Sequence, residues 1–98
     1  MTAGEHLSDQ QFTHLPVHYL RTTMDPEYDE VPFHRDQVDK LVDSMREHGY
    51  RPEMADHPIE LLRSKKGAAA LEGKHRIMAA HYAGIKKLPV LVHEIGQS

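Results

Sequence analysis

Gly73, Lys74, His75 and Arg76 stand consecutively where an apolar stretch gives way to a helical one, in the segment LEGKHRIMAAHYAG. A glycine at such a junction takes backbone angles closed to other residues and lets an anion approach the main chain. The amides that follow are then the unpaired N–H groups of a helix's first turn, and with the helix dipole they form an anion site. Lys74 adds a point charge, Arg76 a planar fork suited to phosphate, and His75 a donor that titrates near neutral pH. Cations at a helix start oppose its dipole, and a bound anion removes that conflict. The chemistry this predicts is recognition of a phosphate group.

A second basic set, Arg63, Lys65 and Lys66, falls on a predicted hairpin tip and offers contacts to nucleic-acid phosphates. Lys86 and Lys87 read as ordinary turn residues. Charge is divided along the chain: residues 1–56 hold five Lys/Arg against twelve Asp/Glu, and residues 57–98 seven against three. Such a split points to an anionic partner met by one side. A sequence pI near 6.3 argues against a non-specific nucleic-acid coat. Tyr82 is the only aromatic of the basic half, which leaves little there for stacking on bases.

Other chemistries find less support. Nine histidines invite a metal, but there is no His-Glu-x-x-His, and His14 and His18 lie on a predicted strand, some 13 Å apart at about 3.3 Å per residue. No zinc is expected. Ser8, Ser44, Ser64 and Ser98 lack a nucleophile-elbow context. The absence of cysteine excludes disulfides, thiolate metal sites and thiol catalysis.

Ninety-eight residues, 39% hydrophobic and 28% charged, fit one small globular domain. No apolar run approaches the roughly 20 residues that span a bilayer, and an intracellular, cytoplasmic protein is expected. The polar residues 1–13 read as a disordered tail, 14–93 as the domain and 94–98 as a second tail. LPVHYL, residues 15–20, suits an edge strand. Residues 22–35 form a long acidic connection. Val38, Leu41, Val42 and Met45 fall at helical spacing, with Asp36 as N-cap and Gly49 as the stop. Residues 57–63 and 68–71 read as a hairpin around a turn at 64–67, although three alanines are poor strand formers. A helix over 75–83 ends at Gly84, with His81 packing or capping on it, and residues 88–92 read as a strand buried on both faces. His48 suits the earlier helix's C-terminus.

The stretch PIELLRSKKGAAALEGKHRIMAAHYAGIKKLPVLV, with LPVHYL and VDKLVDSMREHG upstream, resembles the ParB N-terminal and sulfiredoxin-like superfamily over residues 14–93. The resemblance implies a small α+β fold with a mixed sheet of about four strands, two or three helices and a Gly-x-His/Arg-Arg turn that holds nucleotide phosphates. Gly73, His75 and Arg76 match that turn. Lys74 sits where sulfiredoxins carry their catalytic cysteine and where partition proteins commonly carry glutamate, so sulfiredoxin chemistry is excluded. Members bind CTP and DNA, use ATP or ADP, or are nuclease-like. ATP, ADP or CTP with magnesium is therefore the expected ligand, and hydrolysis or phosphoryl transfer an open question. In a serine-kinase branch a glutamate soon after the first strand acts as base. The corresponding loop here offers Asp25, Glu27, Asp29 and Glu30, of which Glu27 and Glu30 are the candidates. The helix-turn-helix and dimerisation regions of partition proteins have no counterpart in these residues, so a stand-alone domain is expected. A DNA-backbone or nuclease-like module is one alternative. An inactive interaction module working through a protein partner or as a homo-oligomer is another.

Overall fold

The computed structural model describes residues 9–51 and 55–95; residues 1–8 and 96–98 of the expected tails lie outside these. The chain runs β1 (Asp9–Pro16), α1 (Val17–Arg21), a 3-10 turn (Tyr28–Glu30), α2 (Pro32–His48), β2 (Ile59–Ser64), β3 (Gly67–Glu72), α3 (Lys74–Ala83) and β4 (Lys87–Glu94). The strands form one mixed sheet in the order β1-β4-β2-β3. β4 is antiparallel to β1 and parallel to β2, and β2 and β3 make the expected hairpin. The α+β fold read from the sequence is thus present, with four strands and three helices.

Its first third differs from the sequence reading. The edge strand begins at Asp9, inside the expected tail, and ends at Pro16, where its ladder with β4 closes on Lys87. LPVHYL is therefore split between a strand end and a helix. Apolar residues at 15, 17, 19 and 20 satisfy neither period fully, and the helical spacing of Val17 and Leu20, both buried, decides the outcome. His18 consequently lies on α1 rather than on a strand with His14. α2 also starts a turn earlier than Asp36 suggests: Val31 precedes it in extended conformation and Pro32 opens it. Proline is favoured at the first helical position because its missing N–H would have no intrahelical partner there.

The helices cover one face of the sheet. Ile59, Leu61, Leu88, Val90 and Val92 point toward them and are fully buried, packing with Leu20, Val38, Ile77 and Met78. Each such side chain contributes about 1.5–3 kcal/mol relative to exposure. The intervening Pro89, Leu91 and His93 of β4 are only half-buried, so this strand is not enclosed on both faces. A single layer of helices leaves the opposite face to solvent, where Phe12 is exposed and His93 Nε2 meets Glu60 Oε1 at 2.7 Å. Residues 76–80 of α3 are all buried, which identifies it as an interior helix. Ala79 and Ala80 are fully buried and let α2 approach it closely.

A polar lock ties the 3-10 turn to both long helices. Asp29, only 9% exposed, accepts from the Tyr82 hydroxyl of α3 and from Arg35 Nη1 of α2 at 3.0 Å. The Tyr82 hydroxyl holds the Asp29 carboxyl below the usual carboxylate range, with Arg35 adding to the effect. The long acidic connection is thereby folded back onto α3.

Candidate functional site

Gly73 joins β3 to α3 with φ 91° and ψ 22°, a left-handed conformation. A Cβ placed there would lie 2.8 Å from Ile59 Cγ1 and 3.1 Å from Arg76 Nη2. Both the backbone angle and the close packing on β2 require glycine. The first helical bond of α3 runs from the Ile77 amide to the Gly73 carbonyl at 3.0 Å. No side chain caps the helix start and no acidic residue lies in its first turn. The amides of Lys74, His75 and Arg76 therefore stand ahead of the first intrahelical bond, in a turn that carries only cationic or imidazole side chains.

Two rings pack around His75. Tyr28 of the 3-10 turn stacks on His34 of α2 at 4.1 Å, and His75 meets both edge-on, at 5.2 and 5.3 Å. The His34 Nδ1–H donates to the Tyr28 carbonyl at 2.9 Å, and the Tyr28 hydroxyl lies 3.0 Å from His75 Nδ1. Burial and the neighbouring His34 push the His75 pKa down, against an upward pull from Glu72. Burial, with a smaller contribution from Glu72, raises the Tyr28 hydroxyl's pKa.

Arg76 lies underneath the turn. It is 5% exposed and its Nη1 donates to the Tyr50 hydroxyl at 3.2 Å. Lys74 instead lines an open cavity of about 370 Å³ with Thr22, Thr23, Asp25, Tyr28 and the alanines of β3. A second cavity of about 330 Å³ shares Thr22, Thr23 and Ala68 with it and reaches the hairpin residues Arg63, Lys65 and Lys66. Lys74 of the first basic set and Arg63, Lys65 and Lys66 of the second thus line two adjacent cavities, which meet at Thr22, Thr23 and Ala68 and together form a groove along β3. Within it, Arg63 is engaged by Glu94 at 2.8 Å.

A model of the ParB N-terminal domain matches residues 1–98. The chain belongs to the ParB N-terminal domain family. The solved structures it resembles share the fold at low identity. A C-terminally truncated chromosome-partitioning protein ParB from Caulobacter crescentus, complexed with CTP-gamma-S, superposes with a TM-score of 0.61 at 24% identity, covering 89% of this chain and 46% of that one. Sulfiredoxin from Arabidopsis thaliana gives 0.58 at 19%, covering 86% and 85%. A Pnob8-like ParB-N domain gives 0.56 at 14%, covering 91% and 31%. This chain therefore spans under half of the Caulobacter chain. No curated protein matches it.

In this ParB N-terminal domain, the acidic loop residues are distributed unequally. Asp25 lines the cavity beside Lys74, Asp29 is consumed in the polar lock, and Glu27 and Glu30 are exposed and line neither half of the groove. The carboxylate whose charge reaches His75 and Tyr28 is Glu72, immediately before Gly73. Sequence reasoning missed it, along with Tyr28, His34 and Tyr50. Adjacency to Gly73 was the available signal for Glu72; the three others reach the turn only through the fold. His81 packs at the far end of α3, with Arg21 Nη1 3.3 Å from its Nε2. His48 closes α2 beside Glu47. Among the described residues no group of three His, Asp or Glu is placed to hold a metal ion, and no helix is long and apolar enough to cross a membrane.

Proposed function

We propose that this domain binds a nucleotide through its phosphates at the start of α3. The observation that carries the reading is the uncapped first turn behind Gly73, with cations where a helix by itself favours anions. The Lys74, His75 and Arg76 amides would donate to phosphate oxygens, Lys74 would add its ammonium from the cavity side, and His75 a ring N–H. Arg76 contributes positive charge from beneath the turn. Support at the level of the family comes from the Caulobacter ParB, whose structure contains CTP-gamma-S. Magnesium fits this site as a companion of the phosphates, a mode that needs only one or two protein carboxylates. Asp25 is the one on the cavity wall.

Thermal unfolding with ATP, ADP and CTP, each with and without magnesium, tests the proposal. A nucleotide that binds the folded state raises the melting temperature. Lys74→Ala removes a charge-assisted contact of about 1.5–3 kcal/mol and should weaken binding about 10- to 150-fold. A melting temperature unmoved by every nucleotide refutes the proposal.

A further inference from the structure

We propose that the groove beyond the α3 turn takes a short single-stranded polynucleotide, with Lys65 and Lys66 holding phosphates at one end and Lys74 at the other. The proposal rests on the nucleotide reading of the turn and extends it along β3. From Gly67 to Glu72 the strand covers five residue steps, about 17 Å at about 3.3 Å per residue. That is about five phosphate intervals at the ~3.4 Å spacing of a stacked strand. A mononucleotide carries its charge at one end and cannot satisfy cations at both.

The wall between those cations suits sugars and bases. The Thr22 and Thr23 hydroxyls donate to the Tyr19 and Leu20 carbonyls, each at 2.6 Å. Their hydrogens are committed, so toward a ligand these oxygens act as acceptors, and they suit sugar hydroxyls and base amino groups rather than phosphate. Each half of the groove also holds one partly exposed aromatic, Tyr19 near the hairpin and Tyr28 near the turn. A cationic track with interspersed rings is the pattern by which single strands are bound without sequence readout. Both rings come from the acidic N-terminal half, so the basic half's shortage of aromatics does not limit the groove. The alanines of β3, poor strand formers, keep its floor low enough for a base to lie beside Tyr28.

Fluorescence anisotropy with labelled oligothymidylate and oligouridylate hexamers tests this. Three lysine contacts predict a slope of log affinity against log salt near −2, and so about an 18-fold loss between about 50 and 200 mM salt. Lys65→Gln/Lys66→Gln, two exposed turn positions whose variant's folding is checked by its melting curve, should bring that loss down to about threefold. An oligodeoxyuridylate hexamer, which differs from the oligouridylate only in its sugar, identifies the preferred sugar. No binding of any hexamer at about 50 mM salt, or an unchanged slope in the double variant, overturns the proposal. The mononucleotide panel on the unaltered protein is read separately. A shift there without hexamer binding leaves the α3 site standing and refutes the groove. Hexamer binding that depends on both lysines, without such a shift, does the reverse.

Discussion

Replacing Gly73 by alanine tests the geometry on which the site depends, and its cost can be worked from two independent terms. The left-handed backbone, φ 91°, costs an L-residue roughly 1–2 kcal/mol. The new methyl would also meet Ile59 Cγ1 at 2.8 Å and the Ile59 main chain at 3.2 Å. Ile59 is fully buried on a strand paired on both sides and has little room to yield, so overpacking adds about 1–3 kcal/mol. Gly84 provides the control. Its φ is 82° and a methyl group added there would meet nothing within 4 Å, so Gly84→Ala carries only the backbone term. Urea unfolding followed by circular dichroism should therefore place Gly73→Ala about 2–5 kcal/mol below the parent and Gly84→Ala about 1–2 kcal/mol below it. Equal losses in the two variants would refute the claim that β2 packs against the turn. Gly73→Ala should in addition lose the nucleotide-dependent rise in melting temperature, which Gly84→Ala should keep.

Two further outcomes follow from the polar contacts. Burial lowers the pKa of both His75 and His81 below 6.5, so the unfolded chain takes up protons that the folded one refuses. Stability from these groups is full above the unfolded value and is lost as pH falls below it. Denaturant midpoints should drop between about pH 7.5 and 5.5, and a His75→Gln/His81→Gln variant should lose much of that drop; a parent equally stable at both ends contradicts the burial argument. Asp29→Asn removes the carboxylate shared by Tyr82 and Arg35 and should cost about 1–3 kcal/mol by the same assay. A change within about 0.5 kcal/mol would mean the lock contributes no more than an ordinary surface substitution.

Elements with a strong period were legible from the sequence, and those decided by tertiary contacts were not. Val38, Leu41, Val42 and Met45 announced α2 through their spacing, and Gly49 and Gly84 marked true helix ends. The hairpin was legible despite its alanines because Ser64-Lys65-Lys66-Gly67 is a strong turn, and its pairing places Ser64 opposite Gly67. β1 escaped because Asp9, Gln10, Gln11 and Thr13 are polar and Phe12 is the one apolar residue among them. It is an edge strand, paired only to β4. Pro16 suits a strand start by sequence, whereas in the fold it ends the ladder and precedes the helix. A proline serves both roles equally well by its fixed φ, so local sequence could not separate them.

The site shows the same division more sharply. Gly73 through Arg76 were legible because a helix start is a local object: the glycine, the free amides and the uncompensated cations are all neighbours in the chain. Arg76 shows the limit of that reasoning, since only the position of Tyr50 and the packing of α3 turn its side chain beneath the helix rather than outward. Tyr28 of the 3-10 turn and His34 of the first turn of α2 arrive from a segment that sequence reads as an acidic connection. What brings them in is Asp29, whose buried carboxylate is held by Tyr82 of α3 itself. A segment rich in carboxylates is thus folded against a basic turn by the one carboxylate it buries, while its exposed acids stay in solvent. The division of charge along the chain therefore does not map onto two opposed surfaces. The groove draws its cations from one half and its rings and hydroxyls from the other, a combination that only the contacts between α1, the 3-10 turn and β3 create.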